Sequence, residues 1–216
     1  MGDTGLLTAG RAVLLLGLLG LVGPPLGLSP AWITVLVLAG LGALSLDAAS
    51  FGGRGGHLLA EALPGGQQRL RRIALHEAGH LLVAEQEGVP VRRVLVGSLA
   101  CLRAGLASAG STEFDPPDSV RMPLEQLRRW SRVLQAGIVA EELVHGASLG
   151  GADDRALLGR LWGLSGHDVA TAQREQRQAR REVRRLLAER RQDLEQRAEQ
   201  LERQAPRLGL PSATAA

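Results

Sequence analysis

Two histidines four residues apart, His76 and His80, with Glu77 directly after the first, are the residues of this sequence best placed to do chemistry. On an α-helix a spacing of four returns two side chains to one face, about 6 Å apart along the axis. Both imidazoles can then reach a single metal ion. Glu77 projects beside that ion rather than at it, where a general base takes a proton from an activated water. Zinc suits the pattern, because it binds imidazole well, is redox-inert and lowers the pKa of its water toward about 7. The reaction class indicated is hydrolysis; the competing reading is a pair of core histidines with satisfied hydrogen bonds. Gly79 leaves room for a close neighbour, and Ile73, Leu75, Leu81 and Leu82 supply the apolar rest of the helix.

A catalytic zinc takes three protein ligands and keeps one open position. The chain before His76 reads as membrane segment and linker, so the third ligand is expected downstream. Glu141, Glu142, His145, Asp153, Asp154 and His167 are the candidates. His145 sits in the last turn of its helix, where it meets free carbonyls, and His57 belongs to the linker.

The elements that must position these residues follow from periodicity and breakers. Residues 69–87 read as a helix stopped by Gly88 and Pro90. Residues 91–96 and 102–107 read as two short strands, and 110–123 as an irregular loop. Pro123 opens a second helix in which Leu124, Leu127, Trp130, Leu134 and Ile138 recur at helical spacing, running to Gly146. A third helix follows the Gly150-Gly151 turn, and residues 168–204 read as one long helix rich in Arg and Glu. Leu187, Leu194 and Leu201 repeat every seven residues, but Arg190 and Arg197 interrupt the companion positions, which favours a packed helix over a coiled-coil arm.

From Ala12 to Leu46 no residue carries a charge. A single bilayer span takes about 20 residues, and the middle of this run is broken by Gly23-Pro24-Pro25 and Pro30. The reading is a transmembrane hairpin of two short spans, 6–22 and 31–46. Arg11 before the first span, and Arg54, Arg69, Arg71 and Arg72 after the second, place both ends on the cytoplasmic side. A single span and a cleaved signal peptide are the competing readings. The glycines of 48–68 read as a flexible linker, not a nucleotide fingerprint, since no strand precedes them.

Composition narrows the function classes. All 25 basic residues are Arg, and a phosphate-binding P-loop needs its Lys, so the sequence holds none. The Arg cluster near the C-terminus is interleaved with Glu and reads as solvated helix surface, so no nucleic-acid partner is expected. Cys101 is the single cysteine, which excludes an intrachain disulfide and a Cys-rich metal site.

The stretch from Ile73 to Ala84, the run Val133-Leu134-Gln135-Ala136-Gly137-Ile138-Val139-Ala140-Glu141-Glu142-Leu143, and the turn from Ser148 to Asp154 together resemble the peptidase domain of the FtsH-type membrane zinc proteases. The resemblance covers about 69–204. It implies zinc ligands at His76, His80 and Asp154 and a catalytic glutamate at Glu77. It also implies a role near the site for the Glu141-Glu142 pair, orienting a histidine ligand, with Glu142 as ligand the alternative. Asp153 stands where the family has Asn, Arg155 replaces an aliphatic residue, and no ATPase module is read in the sequence.

The expectations are therefore a mainly α chain. Residues 1–47 form a membrane anchor, 48–68 a Gly-rich linker, 69–204 a helical zinc-peptidase domain with a small β-hairpin, and 205–216 a flexible tail. The function expected is membrane-anchored zinc metalloendopeptidase, with Zn2+ as cofactor and protein or peptide substrates. The resemblance implies a homo-oligomer or association with an ATPase-containing protease. The alternative is a non-cleaving, zinc-holding subunit of such a protease.

Overall fold

The computed structural model describes residues 3–51, 54–62, 65–115 and 121–207. It is mostly helical. Helices α1 (Asp3–Val22) and α2 (Pro30–Phe51) form an antiparallel pair, joined through a 3-10 turn at Pro24–Leu26 and a left-handed Gly27. Pro30 opens α2 where its missing N–H costs nothing. One stretch of α2, Pro30–Asp47, is long and apolar enough to cross a membrane, while the apolar part of α1, Val13–Val22, is shorter.

The expected flexible linker is not a coil. Arg54–Ala62 forms helix α3, because its glycine-rich start is capped from outside. Asp47 at the end of α2 accepts from the Gly55 and Gly56 amides at 2.8 and 2.9 Å, supplying the partner and negative charge that a helix N-terminus favours. At the other end Glu61 accepts from the Ser98 amide and hydroxyl at 2.8 and 2.6 Å.

Helix α4 (Gly66–Glu87) starts three residues earlier than the pattern suggested and ends on Gly88 in the left-handed region. Strand β1 (Val91–Val96) lies where the sequence put it. The second strand does not. Ser98–Arg103 forms a short helix α5, Ala104 to Ser108 is turn, and strand β2 is Gly110–Phe114, inside the segment read as loop. Leu102 and Arg103 belong to α5, whose end is closed by Gly105 in the left-handed region and by the Leu106 amide bonding back to the Cys101 carbonyl. The sheet is antiparallel, Val96 opposite Gly110 and Val91 opposite Phe114, with a bulge between Val91 and Arg93. It is not a tight hairpin, because α5 intervenes.

Helix α6 (Leu124–His145) follows Pro123 and ends on Gly146, and α7 (Ala152–Leu164) follows Gly151. The long C-terminal helix is two, α8 (Val169–Glu189) and α9 (Arg191–Gln204), interrupted at Arg190 with φ −105° and ψ 30°. The break lets α8 lie against α6 while α9 lies against α4. Leu82, Leu127, Leu134, Val139, Leu187 and Leu194 fill the shared core. A second cluster of Leu70, Ala74, Val96 and Ala205 closes the far end of α4, so the expected tail begins packed. Residues 208–216 of that tail lie outside the described residues.

Candidate metal centre

Helix α4 is flanked by α6 running antiparallel to it, and the two meet through glycines. A Cβ on Gly79 would stand 2.7 Å from the Ala136 carbonyl and 2.8 Å from the Ala140 methyl. A Cβ on Gly137 would stand 2.4 Å from His76 Nε2 and 2.6 Å from His80 Nε2. Glycine inside a helix costs about 1 kcal/mol relative to Ala. At Gly137 that cost clears the space in which two imidazole nitrogens sit.

Each ring is fixed by its other nitrogen. His80 Nδ1 lies 2.8 Å from the Val133 carbonyl, which can only accept, so Nδ1 carries the proton and Nε2 keeps the lone pair. His76 Nδ1 lies 2.8 Å from Glu141 Oε1, which also only accepts, so the proton His76 gives up on binding a metal is the one on Nε2. Both Nε2 atoms converge on Asp154 in the first turn of α7, at 3.1 Å for His76 and 3.4 Å for His80. Gly151 ahead of it, at φ 84°, makes the turn that brings Asp154 in.

The donor set fits zinc. Two imidazole nitrogens and a carboxylate are ligands that zinc takes, and Asp154 meets His76 Nε2 through Oδ2 at 3.1 Å and His80 Nε2 through Oδ1 at 3.4 Å. His76, His80 and Asp154 are the group of three among the described residues whose ligand atoms lie within 4.8 Å of one another.

Charge is balanced inside this seam. Burial pushes His76 down, but the hydrogen bonds to Asp154 and Glu141 outweigh it and raise the metal-free imidazole to about 10. Burial works against the Asp154 carboxylate too, and the two imidazoles hold it well below its usual range. Glu141 is lowered to about 2, the hydrogen bonds from His76 and the Leu149 amide outweighing its burial. Glu77, 4% exposed, goes the other way. Its burial raises it, with the histidine charges and Thr112 only partly opposing. Thr112 of β2 donates to Glu77 Oε2 at 2.7 Å, and Gly110 leaves space at Glu77 Oε1, where a Cβ would come within 2.5 Å.

The other sequence candidates lie elsewhere. Glu142 pairs with Arg180 and Arg184 of α8, facing away from the histidines that its neighbour Glu141 serves. His145 and Asp153 are exposed. His167 is exposed in the turn before α8, its ring 5.7 Å from that of Trp162. His57 lies in α3 and accepts from Arg69 at 2.7 Å. Sequence reasoning did not pick out Thr112, the Val133 carbonyl, Arg72 or the function of Gly137. A glycine amid the apolar face of a helix was the one signal available for the last.

No family model matches the chain. Over 86 residues it is 38% identical to the ATP-dependent zinc metalloprotease FtsH of Methylococcus capsulatus, a match covering 38% of this chain and 13% of that protein. The chain thus spans a small part of the relative's length, and the match hints at a protease-related function.

Proposed function

We propose that this chain is a membrane-anchored zinc metalloendopeptidase. The observation that supports this most is the convergence of two tautomer-fixed imidazoles and the Asp154 carboxylate within 4.8 Å, on the helix that also carries the buried Glu77. His76, His80 and Asp154 would hold the ion. A zinc ion bound there supplies Lewis acidity toward the scissile carbonyl and toward water.

Glu77 is the proton carrier. Thr112 occupies its Oε2, which leaves Oε1 to take the proton of the attacking water and deliver it to the leaving amine. Burial, by raising Glu77, brings its basicity closer to that of the groups it must exchange with. Glu141 and the Val133 carbonyl keep both ring Nδ1 atoms protonated, so neither histidine turns its lone pair away. Helices α1 and α2 would serve as a hairpin in the bilayer, with no Arg in the turn and arginines at both ends, which puts the peptidase domain on the cytoplasmic side.

The test is Glu77→Gln in the full chain. Zinc content near one per chain should be retained while cleavage of a loosely folded substrate such as casein is lost; loss of zinc in this variant would count against the assignment. A second reading draws on the burial of His76, Glu77 and His80, at 8%, 4% and 2% exposure: a zinc-holding subunit that does not cleave by itself. Wild type with bound zinc, inert toward casein and co-purifying with an ATPase-containing protease, would favour it.

A further inference from the structure

Arg72 lies four residues before His76, which lies four before His80, so the three side chains share one face of α4. Its guanidinium donates to Glu141 Oε2 from Nε at 3.3 Å and from Nη2 at 3.2 Å. Nη2 also donates to the Ala147 carbonyl at 2.5 Å. The Leu149 amide donates to the same Oε2 at 3.0 Å. The opposite oxygen, Oε1, accepts from His76 Nδ1 at 2.8 Å and from Ser148 at 3.2 Å. A carboxylate that is 3% exposed is thereby held on both oxygens, and its orientation decides where His76 points.

We infer that Arg72 is a positioning residue of the metal centre, acting through Glu141 on the His76 ring and through Ala147 on the loop that leads to Asp154. This rests on the reading that His76, His80 and Asp154 hold zinc. Without Arg72, Oε2 keeps only the Leu149 amide, and the carboxylate is held less firmly toward Nδ1. Glu142 cannot take over, since its oxygens are engaged by Arg180 and Arg184. Lysine supplies the charge but not the planar fork that reaches Glu141 and Ala147 together.

The experiment measures zinc dissociation constants by chelator competition on the full chain in detergent, with the melting temperature of the chelated protein alongside. Arg72→Met should weaken zinc by about 10–100-fold, the range for groups that orient a ligand. Exposed Arg71, replaced by Met, should leave the affinity unchanged. Arg72→Lys, which keeps the charge and guards against a misfolded Met variant, should recover part of the loss. In a Glu141→Gln background, removing Arg72 should cost little further affinity, because the two act as a unit. Unchanged affinity in both Arg72 variants overturns the inference, as does full additivity with Glu141→Gln. A wild type that binds no zinc overturns the metallopeptidase reading itself, and the inference with it.

Discussion

Two antiparallel helix pairs of this chain, α1 with α2 and α4 with α6, draw on the same vocabulary of Leu, Val, Ala and Gly, and they face it in opposite directions. In the first pair Leu14, Leu21 and Trp32 are 67%, 78% and 66% exposed. In the second, Leu75, Leu82 and Leu134 are 4%, 1% and 1% exposed. The pairs also use glycine differently. A Cβ on Gly40 would meet only the Leu16 side chain, at 3.2 Å, which is apolar contact alone. Gly79 brings two backbones together, and Gly137 opens a polar pocket in the seam. Apolar content therefore says little about location; the placement of charge does. Residues 12–46 carry none, whereas the α4–α6 seam encloses His76, Glu77, His80 and Glu141, which stay buried because each has a partner.

The sharpest way to break this contrast is to add one methyl group to each pair. Gly137→Ala puts carbon where His76 Nε2 and His80 Nε2 converge, at 2.4 and 2.6 Å, and should abolish zinc binding and cleavage. Gly17→Ala meets nothing within 4 Å and should leave both unchanged. Zinc titration of the two variants decides it. Removing side chains gives the next largest difference. Leu82→Ala or Leu134→Ala should cost about 2–5 kcal/mol, as truncations in packed cores do. Leu14→Ala should move the unfolding of the α4–α6 core by less than about 0.5 kcal/mol. Denaturant unfolding in detergent, followed by near-UV circular dichroism, reads both.

Acidity separates the pairs at smaller amplitude, since residues 12–46 hold no ionisable side chain and the seam holds several. In the chelated protein His76 is raised from 6.5 to about 10 by its two carboxylate partners against the pull of burial. Its contribution to stability is then complete below pH 6.5 and is lost as pH rises toward 10. Glu141, lowered from 4.5 to about 2, contributes fully above pH 4.5 and loses that contribution as pH falls toward 2. The metal-free protein should therefore be most stable between about pH 4.5 and 6.5. Zinc needs neutral imidazoles, so the stabilisation it adds should grow with pH instead. Melting temperatures with EDTA and with zinc should diverge on the alkaline side; parallel curves would mean that zinc does not compete with the His76 proton.

How much of this the sequence disclosed depended on whether the relevant contacts were local. His76, Glu77 and His80 declare themselves because four residues make one helical turn. Asp154 could be ranked above Glu142, His145 and Asp153 only through a family resemblance, since its approach depends on the Gly151 turn and on α7 packing against α6. Glu141 and Glu142 are adjacent and alike in sequence, yet one faces His76 and the other α8; about 100° of helix rotation separates them. Strand β2 was missed because Gly110 and Glu113 are types depleted in strands and offset Thr112 and Phe114, and pairing with β1 overrides that weakness. Helix α3 was missed for a similar reason: Asp47 caps its first turn and Glu61 ties its last turn to Ser98, and neither contact can be read until the chain has folded back.

The smallest predicted effect concerns that helix, which joins the two pairs. If α3 were a loose tether, the α1–α2 pair and the α4–α6 pair would move independently. Asp47 instead accepts from the Gly55 and Gly56 amides, and Glu61 reaches Ser98 at the start of α5, so α2, α3 and α5 are linked end to end by carboxylates. Asp47→Ala removes one cap, a loss of about 1 kcal/mol in local stability. With Gly55 and Gly56 in its first turn, α3 has little intrinsic propensity to make up the difference. Hydrogen exchange in detergent should therefore quicken about fivefold or more across Arg54–Ala62, while amides of α4 and α6 keep their wild-type protection. Equal rates in α3 would restore the picture of a flexible linker. Faster exchange in α4 as well would show that the α1–α2 pair supports the seam itself, and the two helix pairs would then have to be treated as one cooperative unit.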